Sequence, residues 1–561
     1  MSAKDTQDKD VTGIDPGAVV DEEAPGPAIS VPESNDTGEG GKLKMIMQLV
    51  KKCFGVKDIA AMRLSLPASL LEPIPNLEYW HYLDRPDVFA SINDSEDPFE
   101  RILAVVKFTF TKDLKFVHGK ICKPYNSVLG EHFRAHWDVV PASNDFVSTG
   151  PEQSSPVPET ASIRSARSSK STRSGLSLLS KPGKSPSTAP TSVEAQMSNL
   201  SLEEQRTRVV FLTEQVSHHP PVSSYYAACP DRHVEMYGTD QISAKVSGTT
   251  VRVLPGQHNK GIYIRLTGGP GSGEEYHITH PSANVNGVLR GNFYATMSES
   301  TIITCDGGKP GLPKFRAIIE YKEESWLGKA HFLVDGVIHT VHDGDEPWTK
   351  VKAVPHNRVV AIFDGSWRGK IRWRRVGAGS FAVPASANAS RTSLAPSVAA
   401  GGKSAMSSVA DFSKSTNSEY EDLIDLAALQ VLPKSVRPLE EMEEYESRKL
   451  WASVTDHLLN KEYSEATKEK IDIEQKQRDM AAERKRKGEV FTPKYFVDDI
   501  SSGYATLTYV GKSVVEDMVK DAPGRDAKTT KDADTIEEGD QEISIPVPDD
   551  TPEALKTPLP A

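Results

Sequence analysis

Cysteine is scarce in this chain: Cys53, Cys122, Cys229 and Cys305 are the only four among 561 residues. None forms a C-x-x-C pair, which removes zinc-knuckle and dithiol chemistry and suits a reducing compartment. The sequence also lacks a run of about 20 apolar residues and an N-terminal apolar export signal. It therefore predicts a cytoplasmic protein whose contact with membranes is peripheral and transient. Positive charge is in deficit, with 66 Lys and Arg against 78 Asp and Glu and a formal net charge of −12. That balance argues against nucleic acid as a partner. It leaves room for local basic sites, because charge acts within a Debye length of roughly 8 Å at physiological salt. Hydrophobic residues make up only 37%, and 39 Gly and 38 Pro break the chain further. The composition predicts one large folded domain, interrupted and flanked by disordered stretches.

Residues 1–43 are acidic and read as disordered. The pattern changes at K-M-I-M-Q-L-V-K-K-C-F, where Met45, Ile46, Leu49, Val50 and Cys53 share one face of a helix. Flanked by Lys44, Lys51 and Lys52, it reads either as a helix packed on its own domain or as a movable cover that faces lipid. Gly55 is its expected stop. E-Y-W-H-Y-L-D-R-P-D-V-F-A-S-I and D-P-F-E-R-I-L-A-V-V-K-F read as two helices, the second capped by Asp97 with Pro98 at its first position. After Lys123, repeated short β-branched and aromatic segments separated by Gly and Asn predict an antiparallel barrel or sandwich. Two polar stretches, 141–203 and 376–417, read as disordered inserts between strands. From Pro438 the pattern is helical, with a stop at Gly488, and 501–561 reads as an acidic, mostly disordered tail.

Three places gather groups that bind anions. In K-P-Y-N-S-V-L-G-E (123–131) a turn presents the Lys123 ammonium with the Asn126 amide. In E-Q-V-S-H-H-P-P-V (214–222) two histidines, His218 and His219, stand before two prolines that stop a strand. Strict alternation would put Glu214, Val216 and His218 on one face and Gln215, Ser217 and His219 on the other. In the late helix Lys470, Glu474 and Arg478 are spaced by four and stack on one face, where Glu474 can hold both cations extended. Each has a plainer reading: a turn, a loop, an exposed ion-pair ladder worth a few tenths of a kcal/mol per pair. Together they suit a phosphate, with Lys and Arg for charge and His and Asn for directed donors. A metal-dependent hydrolase using Glu214 with His218 and His219 is the rival, although no H-E-x-x-H helix is present.

These segments resemble the oxysterol-binding-protein-related lipid transfer proteins. E-Q-V-S-H-H-P-P looks like the family signature, and K-P-Y-N-S-V-L-G-E is similar to its K-P-x-N-P-x-L-G-E, with Ser127 in place of the second proline. V-R-P-L-E-E-M-E-E-Y-E-S-R-K-L-W and K-E-K-I-D-I-E-Q-K-Q-R extend the match. The resemblance covers 44–500, apart from the inserts, as in a short member of the family. It implies a mainly β fold: a large, near-closed antiparallel β-barrel enclosing a lipid tunnel, with an N-terminal helical lid (44–72) and C-terminal helices. It implies a monomeric carrier, not an enzyme, without cofactor or metal, that exchanges phosphatidylinositol 4-phosphate for a second lipid at membrane contact sites such as those of the endoplasmic reticulum. Lys123, Asn126, His218, His219, Lys470, Glu474 and Arg478 would hold the headgroup. The L-P-x-x-x-L-E segment from Leu66 to Glu72 resembles the branch that carries phosphatidylserine, with Leu66 a lid contact, while the signature is equally like the sterol branch. A lipid-gated sensor that binds without transferring is the second alternative.

Overall fold

Strand pairing dominates the architecture. The computed structural model describes residues 29–30, 39–60, 64–118, 122–142, 206–247, 250–287, 294–324, 330–345, 347–376 and 420–520. A short parallel pair, β1 (Ile29–Ser30) and β2 (Leu64–Ser65), comes first. The main sheet has twelve antiparallel strands. They are β3 (His132–Val139), β4 (Thr207–His218), β5 (Pro221–Cys229), β6 (Val234–Asp240), β9 (Ile262–Leu266), β10 (Glu274–Ile278), β13 (Ser300–Gly307), β14 (Lys314–Tyr321), β15 (Leu333–Val341), β16 (Val359–Ser366), β17 (Lys370–Arg375) and β18 (Glu421–Asp425). Their spatial order is β18-β17-β16-β15-β14-β13-β10-β9-β6-β5-β4-β3. A second sheet, β12-β11-β8-β7, is built from β7 (Ile242–Ser247), β8 (Thr250–Pro255), β11 (Ser282–Asn286) and β12 (Tyr294–Ser298).

The expected near-closed barrel takes the form of an open sheet, because its edge strands β3 and β18 share no ladder. The chain leaving β18 runs instead toward the β3 edge. Leu432 N–H donates to Asp84 O at 3.0 Å, and Ser435 and His136 exchange backbone bonds at 2.9 and 3.0 Å. His132 N–H then reaches Tyr445 O at 3.0 Å, so β3 is covered by irregular chain.

Helix α1 spans Glu39–Cys53, starting ahead of the expected Lys44, and Gly55 with φ +83° follows it. Met45, Ile46, Leu49 and Cys53 are buried with Ile59, Leu66 and Leu70 against Ala244, Val251 and Val285 of the small sheet. The region read as one helix from Glu78 is instead two short pieces, α2 (Asn76–Tyr79) and α3 (Pro86–Ala90). Arg85 stands before Pro86, whose ring disfavours a helical predecessor, and Tyr82 takes φ +56°. Helix α4 (Pro98–Thr111) follows expectation, with the Asp97 carboxylate accepting Phe99 N–H at 2.9 Å. The short helix α5 (Lys115–His118) then leads toward the Lys123 turn.

After Pro438 the helical reading is corrected at its start: a single 3-10 turn (Leu439–Glu441) precedes α6 (Ser447–Leu450), α7 (Ala452–Leu459) and α8 (Tyr463–Lys487). Gly488 closes α8 with φ +69°. The tail expected from 501 carries a further helix, α9 (Tyr509–Lys520). Val515 of α9 is buried with Tyr495, Phe496 and Ala505 against Val210, Leu212, Val216 and Tyr237. Strand β4 is therefore covered on both faces, which is why R-V-V-F-L reads as an unbroken apolar run rather than an alternation. The inserts at 141–203 and 376–417, the acidic N-terminus and the tail beyond Lys520 lie almost wholly outside the described residues.

The C-terminal strap is fastened by a buried acid. Glu214, 1% exposed, accepts the Lys494 and Tyr495 amides at 2.7 Å each. Glu214→Ala leaves both amides unsatisfied and lowers unfolding free energy by about 3 kcal/mol. Denaturant midpoints and amide exchange over 494–515 measure this; unchanged protection at Lys494 and Tyr495 contradicts it.

Candidate functional site

The turn at Lys123 is held from three sides. Lys123 O accepts Glu72 N–H at 2.9 Å, and Ile74 O accepts Tyr125 N–H at 3.2 Å, tying the turn to the 72–74 segment. Tyr125 is fully buried, its ring 5.0 Å from Trp451 and its hydroxyl 2.9 Å from Thr455 Oγ1. Glu131 completes the anchor. Its carboxylate accepts Ser447 Oγ at 2.6 Å, Trp451 Nε1 at 3.0 Å and Val128 N–H at 3.0 Å. The loop is thereby pinned to α6 and α7.

On this support Lys123 Nζ donates to Asn126 Oδ1 at 2.5 Å and to Pro124 O at 3.1 Å. Asn126 is exposed, whereas Lys123 is 3% exposed. Burial, reinforced by the neighbouring Lys470 ammonium, pushes the Lys123 amine down to about 7. Helix α8 brings the remaining charges. Lys470, also 3% exposed, donates to Glu474 Oε1 at 2.7 Å, and Arg478 reaches Glu474 Oε2 at 3.5 Å and Gln475 Oε1 at 3.0 Å. The expected ladder is thus present, but its inner end is buried rather than solvated. Thr467 Oγ1 on the same helix accepts Ala68 N–H at 3.0 Å, so the N-terminal segment and α8 meet just beyond Leu66, which is 5% exposed.

The structure joins Lys123, Asn126, Lys470, Glu474 and Arg478 into one group. The imidazole pair connects to it through the backbone: Gln215 O accepts Gly130 N–H at 2.9 Å and Glu131 O accepts Gln215 N–H at 2.8 Å. His218 and His219 sit at the β4–β5 turn with ring centroids 4.6 Å apart, edge to face, and the His219–Pro220 bond is cis. A bulge between Gln215 and Ser217 breaks the expected alternation, so the two histidines do not follow the face assignments counted from Glu214. Glu214 itself serves the C-terminal strap. Among the described residues no group of three or more His, Cys, Asp or Glu could hold a metal ion.

Glu131 lies within K-P-Y-N-S-V-L-G-E, where the sequence by itself assigns it no role. Its signal was a carboxylate in a segment otherwise fit for burial, which demands donors from elsewhere, here the S-R-K-L-W stretch.

A twelve-stranded antiparallel sheet, with an N-terminal helix packed on a smaller sheet and a cluster of buried lysines beside the Ala68 turn, is the arrangement the comparisons place in a family. The family model described as "Oxysterol-binding protein" matches residues 45–517, and the chain belongs to that family. It is 37% identical over 527 residues to the "Oxysterol-binding protein-like protein 1" of Schizosaccharomyces pombe, covering 86% of this chain and 92% of that protein. It is 25% identical over 477 residues to the "Oxysterol-binding protein-related protein 9" of Xenopus tropicalis, covering 83% of this chain but 49% of that longer protein. The crystal structure of the Osh1 ORD domain in complex with ergosterol shares the fold with a TM-score of 0.51 at 17% identity, over 84% of this chain and 88% of that one. Among the described residues no helix is long and apolar enough to cross a membrane.

Burial outweighs the three donors on Glu131 and pushes its carboxyl from 4.5 up to about 7. A raised acid contributes stability that is complete below pH 4.5 and is lost as pH rises through 7. Between pH 5 and pH 8 the wild type should lose up to roughly 3 kcal/mol more stability than Glu131→Gln. Urea unfolding of both proteins at the two pH values checks this, and parallel losses would refute it.

Proposed function

We propose that the protein is a non-enzymatic lipid carrier. It takes one lipid at a time into a tunnel between the main sheet and a lid formed by 44–72, and it exchanges phosphatidylinositol 4-phosphate for phosphatidylserine or a sterol. It works as a monomer in the cytoplasm, docking transiently where two membranes lie close, the endoplasmic reticulum among them. The observation that carries this reading is the meeting of Lys123 and Asn126 with Lys470, Glu474 and Arg478 beside the lid. Two buried ammoniums, a guanidinium and an amide suit one phosphomonoester. His218 and His219 would complete its donors from the adjoining hairpin.

A lipid leaving a bilayer exposes its chains to water at about 0.8 kcal/mol per CH2, and an apolar enclosure removes most of that cost with no covalent step. Exchange follows if both cargoes use one tunnel, since a gradient of the phosphoinositide then drives transport of the other lipid. Leu66, in the apolar cluster under α1, would pack against the second lipid.

Liposome loading and transfer assays test the proposal. Phosphatidylinositol 4-phosphate should displace preloaded phosphatidylserine or sterol one for one. Lys470→Ala should weaken phosphoinositide binding at least tenfold, by roughly 1.4 kcal/mol or more. Leu66→Asp should depress loading of the second lipid more than that of the phosphoinositide. Binding without bilayer-to-bilayer transfer would mark a sensor instead of a carrier, and failure of displacement would end the exchange reading.

A further inference from the structure

Lys123 sits where its third proton has little purpose until a ligand arrives. Its described acceptors, Asn126 Oδ1 at 2.5 Å and Pro124 O at 3.1 Å, both belong to its own turn. An ammonium carries three N–H donors and a neutral amine two, so the amine serves both contacts as fully as the cation does. Water compensates little at 3% exposure. Glu474, the carboxylate that acts on Lys123, also holds Lys470 at 2.7 Å and Arg478 at 3.5 Å. Lys470 opposes a second charge beside it. The other groups at this corner are Cys122 in the turn, with Glu72 and Lys115 acting on Cys122, and the imidazoles of the adjoining hairpin.

A phosphomonoester reverses this balance. Its oxygens offer the missing acceptor, and its charge favours the ammonium over the amine. We infer that such a headgroup enters the rim together with a proton taken up by Lys123, whereas a cargo lacking the phosphomonoester enters without one. The competition between the two lipids is then set by pH as well as by their concentrations: alkaline conditions favour the second lipid and neutral conditions the phosphoinositide. The position of the Lys123 amine, pushed down to about 7 by burial and Lys470, puts the transition close to neutrality. This inference rests on the headgroup site proposed above and adds its regulation.

The test is calorimetry of the full-length protein with phosphatidylcholine vesicles carrying phosphatidylinositol 4-phosphate, in buffers of different ionisation heat from pH 7 to 8.5. The second ionisation of a phosphomonoester lies near pH 6, so the lipid brings almost no proton of its own in this range. Proton uptake should climb toward one per lipid as pH rises, and affinity should fall about fivefold between pH 7 and pH 8. Loading of phosphatidylserine or sterol should be flat over the same interval. Lys123→Arg, which stays charged throughout, should abolish both the uptake and the slope whatever its affinity. The wild-type proton count stands by itself if that variant folds poorly. Uptake that fades above pH 7 would assign the proton to an imidazole, ordinarily titrating near 6.5, and overturn the inference. So would a flat affinity with no uptake, or uptake that persists in Lys123→Arg. Failure to bind the phosphoinositide at any pH would sink the headgroup reading itself, and this inference with it.

Discussion

Two lysine amines held out of water beside each other are the constraint from which the rest of the site follows. Removing one such charge from water costs several kcal/mol after relaxation. Lys123 and Lys470 are each 3% exposed and act on one another. The rim tolerates the pair because the Lys123 turn supplies two oxygens, which an amine satisfies as well as an ammonium, and because Glu474 is placed one helical turn from Lys470. Neither arrangement cancels the repulsion fully. An anion of matching size would, and in the proposed reading a phosphate is that anion.

The cations can be kept this close only if the pieces that carry them are rigid, and those pieces come from distant parts of the chain. Buried carboxylates provide the joints. Glu131 binds the turn to Ser447 and Trp451, and Glu214 binds β4 to the strap at 494–495. Glu446, fully buried, takes Arg134 from β3 and Arg437 from the chain that covers it. In each case the carboxylate meets donors from another segment, which offset part of its desolvation and give the joint a direction. Strands β3 and β4 pair from His132 with Glu214 through Val139 with Thr207 despite the long segment between them. The closure cost of such a loop grows only slowly with its length, so the insert can be long without loosening the site.

What could be read from the sequence was local. The Asp97 cap, the Gly55 and Gly488 stops, the buried face of α1 and the Lys470–Glu474–Arg478 ladder depend on residues within a few positions of each other. What could not be read depended on partners. Strands of the small sheet look no different in sequence from those of the large one, and nothing local shows that β3 ends the ladder. The bulge after Gln215 redirects the histidines without any glycine to announce it. Helix α9 was hidden in an acidic tail, where Gly511 argues against a helix until its role is seen. A Cβ there would stand 2.3 Å from Tyr495 O, so glycine is what lets the helix lie against the strap. The helical reading from Glu78 failed for the opposite reason, because favourable residues gave way to Pro86 and to burial around Tyr82.

A structure of the protein bound to short-chain phosphatidylinositol 4-phosphate tests the central claim most directly. The account predicts the 4-phosphate within hydrogen-bond reach, about 2.7–2.9 Å, of both Lys123 Nζ and an α8 cation, with His218 or His219 on a further oxygen. A phosphate lodged elsewhere, or a rim whose lysines stay more than about 8 Å from it while the lipid is bound, would contradict the account.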